Sequence, residues 1–379
     1  METKTYDLWG KPVVLEKQNI SLDILNEYDL SNKKHINTLT NLLNLLYVAL
    51  SKSDFFQSNI LSNVAPIDNL AHEKLNNILA IDFINNFNKK SSAEFEKLKD
   101  AISRLYGILL ESKYFYRGDH HIHTSKEYYE LVLNQFENSN SRLNNFHIAS
   151  KRFDSFLHNY LNIYRDTNSY LESQGGLKGY FPQKAFEHWI SSEYLNWRAT
   201  DKVLDFACWI SPAVDVLRNY QPAVFYRHDI TFKTDLKKKT ISGFSNSIDS
   251  PSNYFDYIMA HCAIDNFEGT ADTELFFEAY RILKPGGKIL ITPLHMSAKY
   301  ENLISIGSPG LQIDEDANVV MGENTLRFGR LYDIEALNKR IININCGLDF
   351  SVIHILGLPL KIYPSTATNR FMLIGEKPL

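Results

Sequence analysis

Polar residues able to bind ligands or move protons lie at or near the ends of three short apolar runs in the second half of this 379-residue sequence. Asp205 lies within "VLDFACWISP", Asp229 follows "VFYRH", and His261 opens "HCAIDNFEG". A carboxylate accepts hydrogen bonds from hydroxyl and ammonium groups, and a histidine can take up a proton near neutral pH. If the runs are parallel strands of one sheet, these side chains meet outside its carboxyl edge, where such sheets bind ligands.

The loop after the first run contains no glycine between Asp205 and Pro212. Glycines in such loops let the backbone turn sharply and approach a ligand. Small residues at Ala207 and Ser211 leave room for a ligand without a pyrophosphate, and Pro212 suits the first turn of the following helix. The alternatives are a loop that has lost its ligand and an ordinary strand end with a Ser-Pro cap. The bulky Trp209 either lines a pocket or fills it.

Helix and strand patterns alternate along the chain from about residue 183 onward. Short apolar strands with intervening helices predict a mostly parallel sheet covered on both faces, and the runs "DFSVIHIL" and "NRFMLIGE" predict a terminal antiparallel pair. Before the glycine-rich stretch "LESQGGLKGYFP", apolar residues recur at helical spacing, as in "HINTLTNLLNLLYVAL". The sequence therefore predicts an all-α domain at 1–175 and an α/β domain at 176–379.

The composition argues against several classes of protein. A formal net charge of −4, with acids and bases interspersed, argues against nucleic-acid binding. Three cysteines without CxxC spacing argue against a disulfide scaffold or a zinc ribbon. The N-terminus lacks the pattern of a secretory signal, and the apolar stretch at 42–50 is too short to span a bilayer. We therefore expect a soluble, cytoplasmic protein with no nucleic-acid partner and no membrane span.

Taken together, these segments resemble the core of class I S-adenosylmethionine-dependent methyltransferases. The resemblance covers roughly residues 183–379 and is strongest in "EAYRILKPGGKIL", the helix and turn before the fifth strand. The segments "ACWISP" and "HCAIDNFEG" are similar to those of methyltransferases found among bacterial surface-polysaccharide genes. The resemblance implies a Rossmann-like, doubly wound sheet with an antiparallel C-terminal strand. It also implies S-adenosylmethionine as cofactor and O-methylation of a sugar, glycan or sugar nucleotide.

The resemblance implies roles for individual residues around the cofactor. Asp229 would accept both ribose hydroxyls, and Asp205 would bind the ligand's ammonium or the loop amides. Ser245 and Asn246 would lie near the adenine. The other cofactor-binding residues that it implies are Ala207, Ser211, Pro212, Ile230 and Cys262.

A base for the acceptor proton is expected near the end of the fourth strand. His261 is the leading candidate, and Asp265 and His295 are its rivals. Relatives usually carry histidine at the position of Asn266, and an asparagine cannot take up a proton at neutral pH. This departure keeps open a non-catalytic, methyltransferase-like scaffold or partner protein. A methyltransferase for an unrelated small molecule is a further alternative, because the motifs do not encode the acceptor.

Three further regions carry expectations of their own. The long connection at 297–330 predicts a substrate lid, in which Arg327 or Arg330 binds an anionic sugar or phosphate, or simply enters a helix. The helical half is expected to bind the acceptor or to mediate homo-oligomer or partner contacts. A tight loop cluster there could bind a metal, but such clusters rarely complete a tetrahedral site, so no metal is expected and an acceptor-binding surface is the favoured interpretation. Its members are Asp119, His120, His121 and His123.

Overall fold

The structure, a computed structural model, describes most of the chain from residue 126 onward and separate parts before it. The described residues are 5–6, 12–13, 29, 31–51, 98, 102, 105, 109, 112, 115–117, 126–139, 141–164, 181–209, 211–305, 311–322, 327–362 and 364–379. The stretch 118–125, with the aspartate and histidine cluster, and the linker at 171–180 lie outside them.

The chain divides into two compact units, Met1–Ile122 with Lys299–Gly329 and His123–Ala298 with Arg330–Leu379. The boundary that the sequence predicted at residues 175 and 176 falls inside the second unit. Segments on both sides of that position share one core, in which Phe153 packs edge-on against Phe186 with ring centroids 5.1 Å apart.

The strands and helices of the described residues are numbered in chain order. The strands are β1 (Thr5–Tyr6), β2 (Pro12–Val13), β3 (Phe115–Arg117), β4 (Leu143–His147), β5 (Lys202–Phe206), β6 (Val224–His228), β7 (Thr240–Ile241), β8 (Gly243–Phe244), β9 (Ser247–Ile248), β10 (Phe255–His261), β11 (Leu283–Thr292), β12 (Glu301–Ser305), β13 (Asn318–Gly322), β14 (Phe328–Leu331), β15 (Asp349–Leu356) and β16 (Phe371–Glu376). The α-helices are α1 (Lys33–Ser51), α2 (Lys126–Glu137), α3 (Ser150–Tyr164), α4 (Phe181–Leu195), α5 (Ala213–Tyr220), α6 (Ala271–Ile282) and α7 (Ile334–Leu337). Short 3₁₀ segments occupy Ile264–Asn266 and Pro364–Arg370, and a π-helical turn occupies Asn338–Ile342.

The first unit contains α1 and a small sheet. Helix α1 buries one apolar stripe at helical spacing, as the sequence predicted, and its members are Ile36, Leu39, Leu42, Leu43 and Leu46. In the sheet, β13 pairs in parallel with both β12 and β3. The connection predicted as a lid at 297–330 therefore contains regular strands. None of the helices in the described ranges is long and apolar enough to cross a membrane.

The second unit is built on an eight-stranded sheet with the order β4-β15-β16-β11-β10-β5-β6-β7. Strand β16 runs antiparallel to both of its neighbours, and every other pairing in this sheet is parallel. From β5 the chain proceeds to β6 and β7 on one side, and then returns to β10 and β11 on the other. The order thus reverses between β5 and β10, and the carboxyl ends of these two strands form the switch point at which such sheets bind ligands.

Helices cover both faces of this sheet, which makes it the doubly wound, Rossmann-like sheet that the sequence predicted. On one face, α3, α4 and α5 pack on alternate strand residues such as Val203, Met259 and Leu290. On the other face, Phe276 of α6 meets Phe350 of β15 edge-on, with ring centroids 5.2 Å apart. Helix α6 ends at Ile282, and Gly286 then adopts a φ of +75°, as expected for the turn in "LKPGG".

The prediction of an all-α N-terminal half is not confirmed. Helix α2 ends at the Asn/Ser cluster near residue 138, but β4 follows it and adds a parallel edge strand to the sheet beside β15. Strand β4 has only five residues, too few for an alternating apolar and polar pattern to be recognised between two amphipathic helices.

Candidate functional site

The loop after β5 makes a glycine-like turn without glycine. Ala207 and Trp209 have φ values of +53° and +42°, in the left-handed region that glycine adopts freely. For residues with a Cβ this conformation costs roughly 1–2 kcal/mol each, so other contacts must hold the loop in place. The absence of glycine from this loop therefore does not remove the sharp turn.

Hydrogen bonds to the end of β6 hold this loop. The amide of Ala207 donates to Nδ1 of His228 (3.3 Å), that of Cys208 to the His228 carbonyl (2.9 Å), and that of Trp209 to Oδ2 of Asp229 (3.1 Å). His228 is buried and stacks on Phe206 with ring centroids 4.4 Å apart. Burial lowers the pKa of His228 to about 4, so the ring is neutral and can accept the amide of Ala207.

Asp229 lies at the carboxyl end of β6, where the sequence placed the ribose ligand. Its Oδ1 accepts the amide and the hydroxyl of Thr231 at 2.9 and 2.7 Å. A carboxylate oxygen has more than one acceptor site, so these bonds leave capacity for a further donor.

Large apolar side chains are exposed at the ends of three neighbouring strands. Trp209 follows β5, Ile230 follows β6 and Phe244 follows β7, and their exposed fractions are 52%, 44% and 54%. Ser245 and Asn246, predicted to lie near an adenine, form the two-residue turn between β8 and β9. This edge of the sheet thus combines a carboxylate with an exposed apolar surface.

Asp205 and His261 face each other across the switch point. Oδ1 of Asp205 lies 3.4 Å from Nδ1 of His261, and Oδ2 of Asp205 is buried without a hydrogen-bond partner. On its other side, Nε2 of His261 lies 2.9 Å from the hydroxyl oxygen of Ser191. Both nitrogens of His261 are thus close to buried protein groups, which leaves this imidazole little access to an acceptor.

Helix α4 supplies a polar cluster that the sequence interpretation missed. Glu187 is fully buried. Its Oε1 accepts hydrogen bonds from the side-chain amide of Gln183 (2.9 Å) and from the thiol of Cys262 (3.3 Å). Its Oε2 lies 3.1 Å from Nζ of Lys184. Burial raises the pKa of the Cys262 thiol, so Cys262 is a donor here. The signal was present in the sequence: Gln183, Glu187 and Ser191 recur every fourth residue and therefore share one face of the helix.

His188, on the same helix, connects the polar cluster to the first loop. Its Nδ1 lies 2.9 Å from the hydroxyl of Tyr160, and its Nε2 lies 3.4 Å from that of Ser211. Burial and the nearby His261 hold the pKa of His188 well below its usual value. Ser211 also accepts the amide of Ala213, and Pro212 precedes α5, so both residues start a helix here.

Asp265 and His295 form a second acid–histidine pair. Nε2 of His295 lies 3.6 Å from Oδ2 of Asp265, whose Oδ1 is buried without a hydrogen-bond partner. The neighbouring Asn266 donates to the carbonyl of Cys262 at 2.9 Å. An asparagine at this position thus holds the backbone turn after β10.

The two arginines predicted to bind an anionic substrate lie in different units. Arg330 is fully buried; its guanidinium donates to the carbonyls of Phe267 and Gly269 and lies 3.2 Å from Asp272. It therefore braces the segment before α6 and does not face solvent, which corrects the substrate role assigned to it. Arg327 belongs to the first unit, where its carbonyl accepts the amide of Ser305. Among the described residues, no group of three histidine, cysteine or acidic side chains could hold a metal ion.

Comparisons with known proteins find structural likeness only. No family model and no curated protein matches the sequence. A putative methyltransferase of Haloferax volcanii, solved with the Trm112 methyltransferase activator, is 13% identical over 58% of this chain and 96% of its own, with a TM-score of 0.34. The Burkholderia thailandensis 1,6-didemethyltoxoflavin-N1-methyltransferase, with S-adenosylhomocysteine bound, is 11% identical over 61% of this chain and 92% of its own, with a TM-score of 0.36. A Mesorhizobium loti S-adenosylmethionine-dependent methyltransferase is 14% identical over 50% of this chain and 98% of its own, with a TM-score of 0.33. Likeness this low assigns neither activity nor substrate to this chain.

Proposed function

We propose that the second unit binds S-adenosylmethionine at the carboxyl ends of β5, β6 and β7 and catalyses methyl transfer to a small acceptor. The observation that carries this proposal is the buried Oδ2 of Asp205, which lies at the switch point and has no hydrogen-bond partner among the described residues. A buried carboxylate oxygen is costly unless a donor reaches it, and the ammonium of the methionine moiety is such a donor.

The residues along this edge fit the rest of the cofactor. Asp229 has acceptor capacity for ribose hydroxyls, and Ile230 and Phe244 offer exposed apolar surface for an adenine. Ser245 and Asn246 lie at the adjoining hairpin turn, within the same part of the chain. When bound, the cofactor supplies an activated methyl group on a sulfonium.

The chain itself would supply orientation and a base. We assign the base to His295, because its imidazole pairs with the buried carboxylate of Asp265 and is among the groups that line a cleft. The proton from the acceptor oxygen would pass to the imidazole, and Asp265 would stabilise the resulting cation. His261, the leading candidate from sequence, is better suited to positioning, because Ser191 and Asp205 lie against its two nitrogens.

The acceptor is proposed from the sequence resemblance alone. It points to a hydroxyl of a sugar, glycan or sugar nucleotide of a surface polysaccharide, and an unrelated small molecule is the alternative. An acceptor of either kind would need its hydroxyl oriented toward the methyl group, and most of the rate enhancement would come from that orientation.

A non-catalytic, methyltransferase-like scaffold is a second candidate, and one observation favours it. The amides of residues 207–209 already donate to His228 and Asp229, so the first loop offers a ligand fewer donors than a glycine-rich loop does. In that case the same contacts would serve to stabilise the fold.

Calorimetry with S-adenosylmethionine and S-adenosylhomocysteine tests the proposal. The wild type should bind both, and Asp205→Asn and Asp229→Asn should each weaken binding by about 10- to 100-fold, the range expected for losing a charged partner. Asp249→Asn, which removes an exposed carboxylate in the second unit, is the matched control and should bind normally. A folded wild type that binds neither compound would refute the enzyme and leave the scaffold.

A further inference from the structure

A cleft in the second unit lies beside the end of β11 and contains a cation that pairs with no acid in the described part of the chain. Its polar side chains are Tyr129 of α2, His295 after β11, and Thr368 and Arg370 from the segment before β16; the remaining lining residues are mostly apolar. The enclosed volume among these groups is about 20 Å³, room for about one ordered water, and the cleft opens to solvent. An acceptor would therefore place only a small terminal group here, and the rest of it would lie in the open part of the cleft.

Arg370 is the cation. It is half-buried, and among the residues that the structure describes it has no ion pair and its buried Nη1 atom has no hydrogen-bond partner. Two other partly buried arginines of the same unit have carboxylates: Arg340 pairs with Asp272, and Arg281 with Glu278. Burial lowers the pKa of Arg370, but a guanidinium keeps its charge at any physiological pH.

Neighbouring aromatic groups hold Arg370 in place without neutralising it. Its guanidinium carbon lies 3.9 Å from the ring centroid of Tyr129, at the distance of a cation–π contact. The Tyr129 hydroxyl lies 2.5 Å from Nε2 of His354, whose Nδ1 lies 3.2 Å from Oδ1 of Asn145. The ring covers one face of the guanidinium, whose N–H edge has the geometry that matches the two oxygens of a carboxylate or phosphate.

We infer that Arg370 binds an anionic group, a carboxylate or a phosphate, carried by the methyl acceptor. This inference rests on the proposed methyltransferase function and assigns the substrate class of the same site. His295 lines the same cleft and pairs with Asp265, so an acceptor anchored at Arg370 would lie against the proposed base. A neutral acceptor would leave the buried Nη1 atom without a partner.

The first arm of the test measures anion binding without catalysis. Wild type is titrated with inorganic phosphate and, separately, with acetate, at constant ionic strength held with chloride, and chemical shifts of the histidine rings report binding. Arg370→Gln should weaken the binding of the preferred anion by at least about 10-fold, and Arg370→Lys by less. Arg218→Gln removes one exposed positive charge from α5 and should leave affinity unchanged. Equal affinities in all four proteins would overturn the inference.

The second arm measures methyl transfer to matched acceptors that differ only in a carboxylate or a phosphate. Arg370→Gln should raise KM for the anionic member by roughly 10- to 100-fold and leave KM for the neutral member unchanged. If wild type prefers the neutral members, the inference fails while the methyltransferase proposal stands. If wild type binds no S-adenosylmethionine, the methyltransferase proposal fails, and the first arm alone decides whether Arg370 binds anions.

Discussion

Nε2 of His295 lies 3.6 Å from Oδ2 of Asp265, while His261, at the end of the neighbouring strand, lies between Ser191 and Asp205. Both histidines have an acid beside them, but their surroundings differ. His295 lines a cleft, whereas the Ser191 hydroxyl and the Asp205 carboxylate lie against the two nitrogens of His261. Under the proposed methyltransferase function, this difference favours His295 for proton transfer and His261 for positioning.

Replacing His295 with Asn should therefore remove the base. We expect kcat to fall by about 10²–10⁴-fold, the range for a positioned general base, with little change in the affinity for S-adenosylmethionine. Asp265→Asn should lower kcat by less, because the imidazole remains in place. Steady-state methyl transfer and calorimetry on the same preparations measure both quantities. The exposed His158→Asn of α3 is the control, and full activity in His295→Asn would return the base to His261.

Replacing His261 with Gln should chiefly affect stability. The change disrupts the contacts with Ser191 and Asp205 in a buried site, which should cost about 1–3 kcal/mol of unfolding free energy. Denaturant unfolding measures this loss, and a Ser191→Ala variant should share part of it because the two residues are partners. If His261→Gln is as stable as wild type but lacks turnover, His261 is the base after all.

Much of the α/β unit could be predicted from sequence because its strands are apolar and regularly separated by helices. The run at 203–207 corresponds to β5, and the runs at 349–356 and 369–376 contain the antiparallel pair β15 and β16. The adjacency of β5 and β10 also follows from the doubly wound order. Asp205, Asp229 and His261 could be placed at strand ends for the same reason.

The remaining features depend on contacts that no local pattern encodes. Arg370 stands out because no carboxylate among the described residues pairs with it. The lack of a partner cannot be recognised before the fold is known. Arg330 was a candidate for binding an anionic substrate or for entering a helix, yet Asp272 and two carbonyls hold it in the core. Strand β4 joins the sheet only because β15, more than 200 residues later, presents an open edge.

Glycine at position 207 should be tolerated well. Ala207 has a φ of +53°, so Ala207→Gly relieves a strain of roughly 1–2 kcal/mol and loses about 0.5–1 kcal/mol through the freer unfolded chain. We expect stability to stay level or to rise slightly. The same substitution at Ala279, inside α6 and fully buried, should cost about 1 kcal/mol or more. Thermal unfolding of both variants checks this, and equal losses would mean that the loop is not strained.

His228 should make stability depend on pH. Its pKa is about 4 in the folded protein and 6.5 in the unfolded chain, so between these values the unfolded state binds more protons. The contribution of neutral His228 to the free energy of unfolding is therefore complete above pH 6.5 and is lost as the pH falls toward 4. The loss is roughly 3 kcal/mol at most. Urea unfolding of wild type and His228→Gln at pH 7.5, 6, 5 and 4 should show the two stability curves converging as the pH falls. Exposed His158→Gln should keep the wild-type slope. Parallel stability curves for wild type and His228→Gln would show that the His228 ring becomes charged within the folded protein. A charged ring could not accept the hydrogen bond from the Ala207 amide, so this contact would not stabilise the turn.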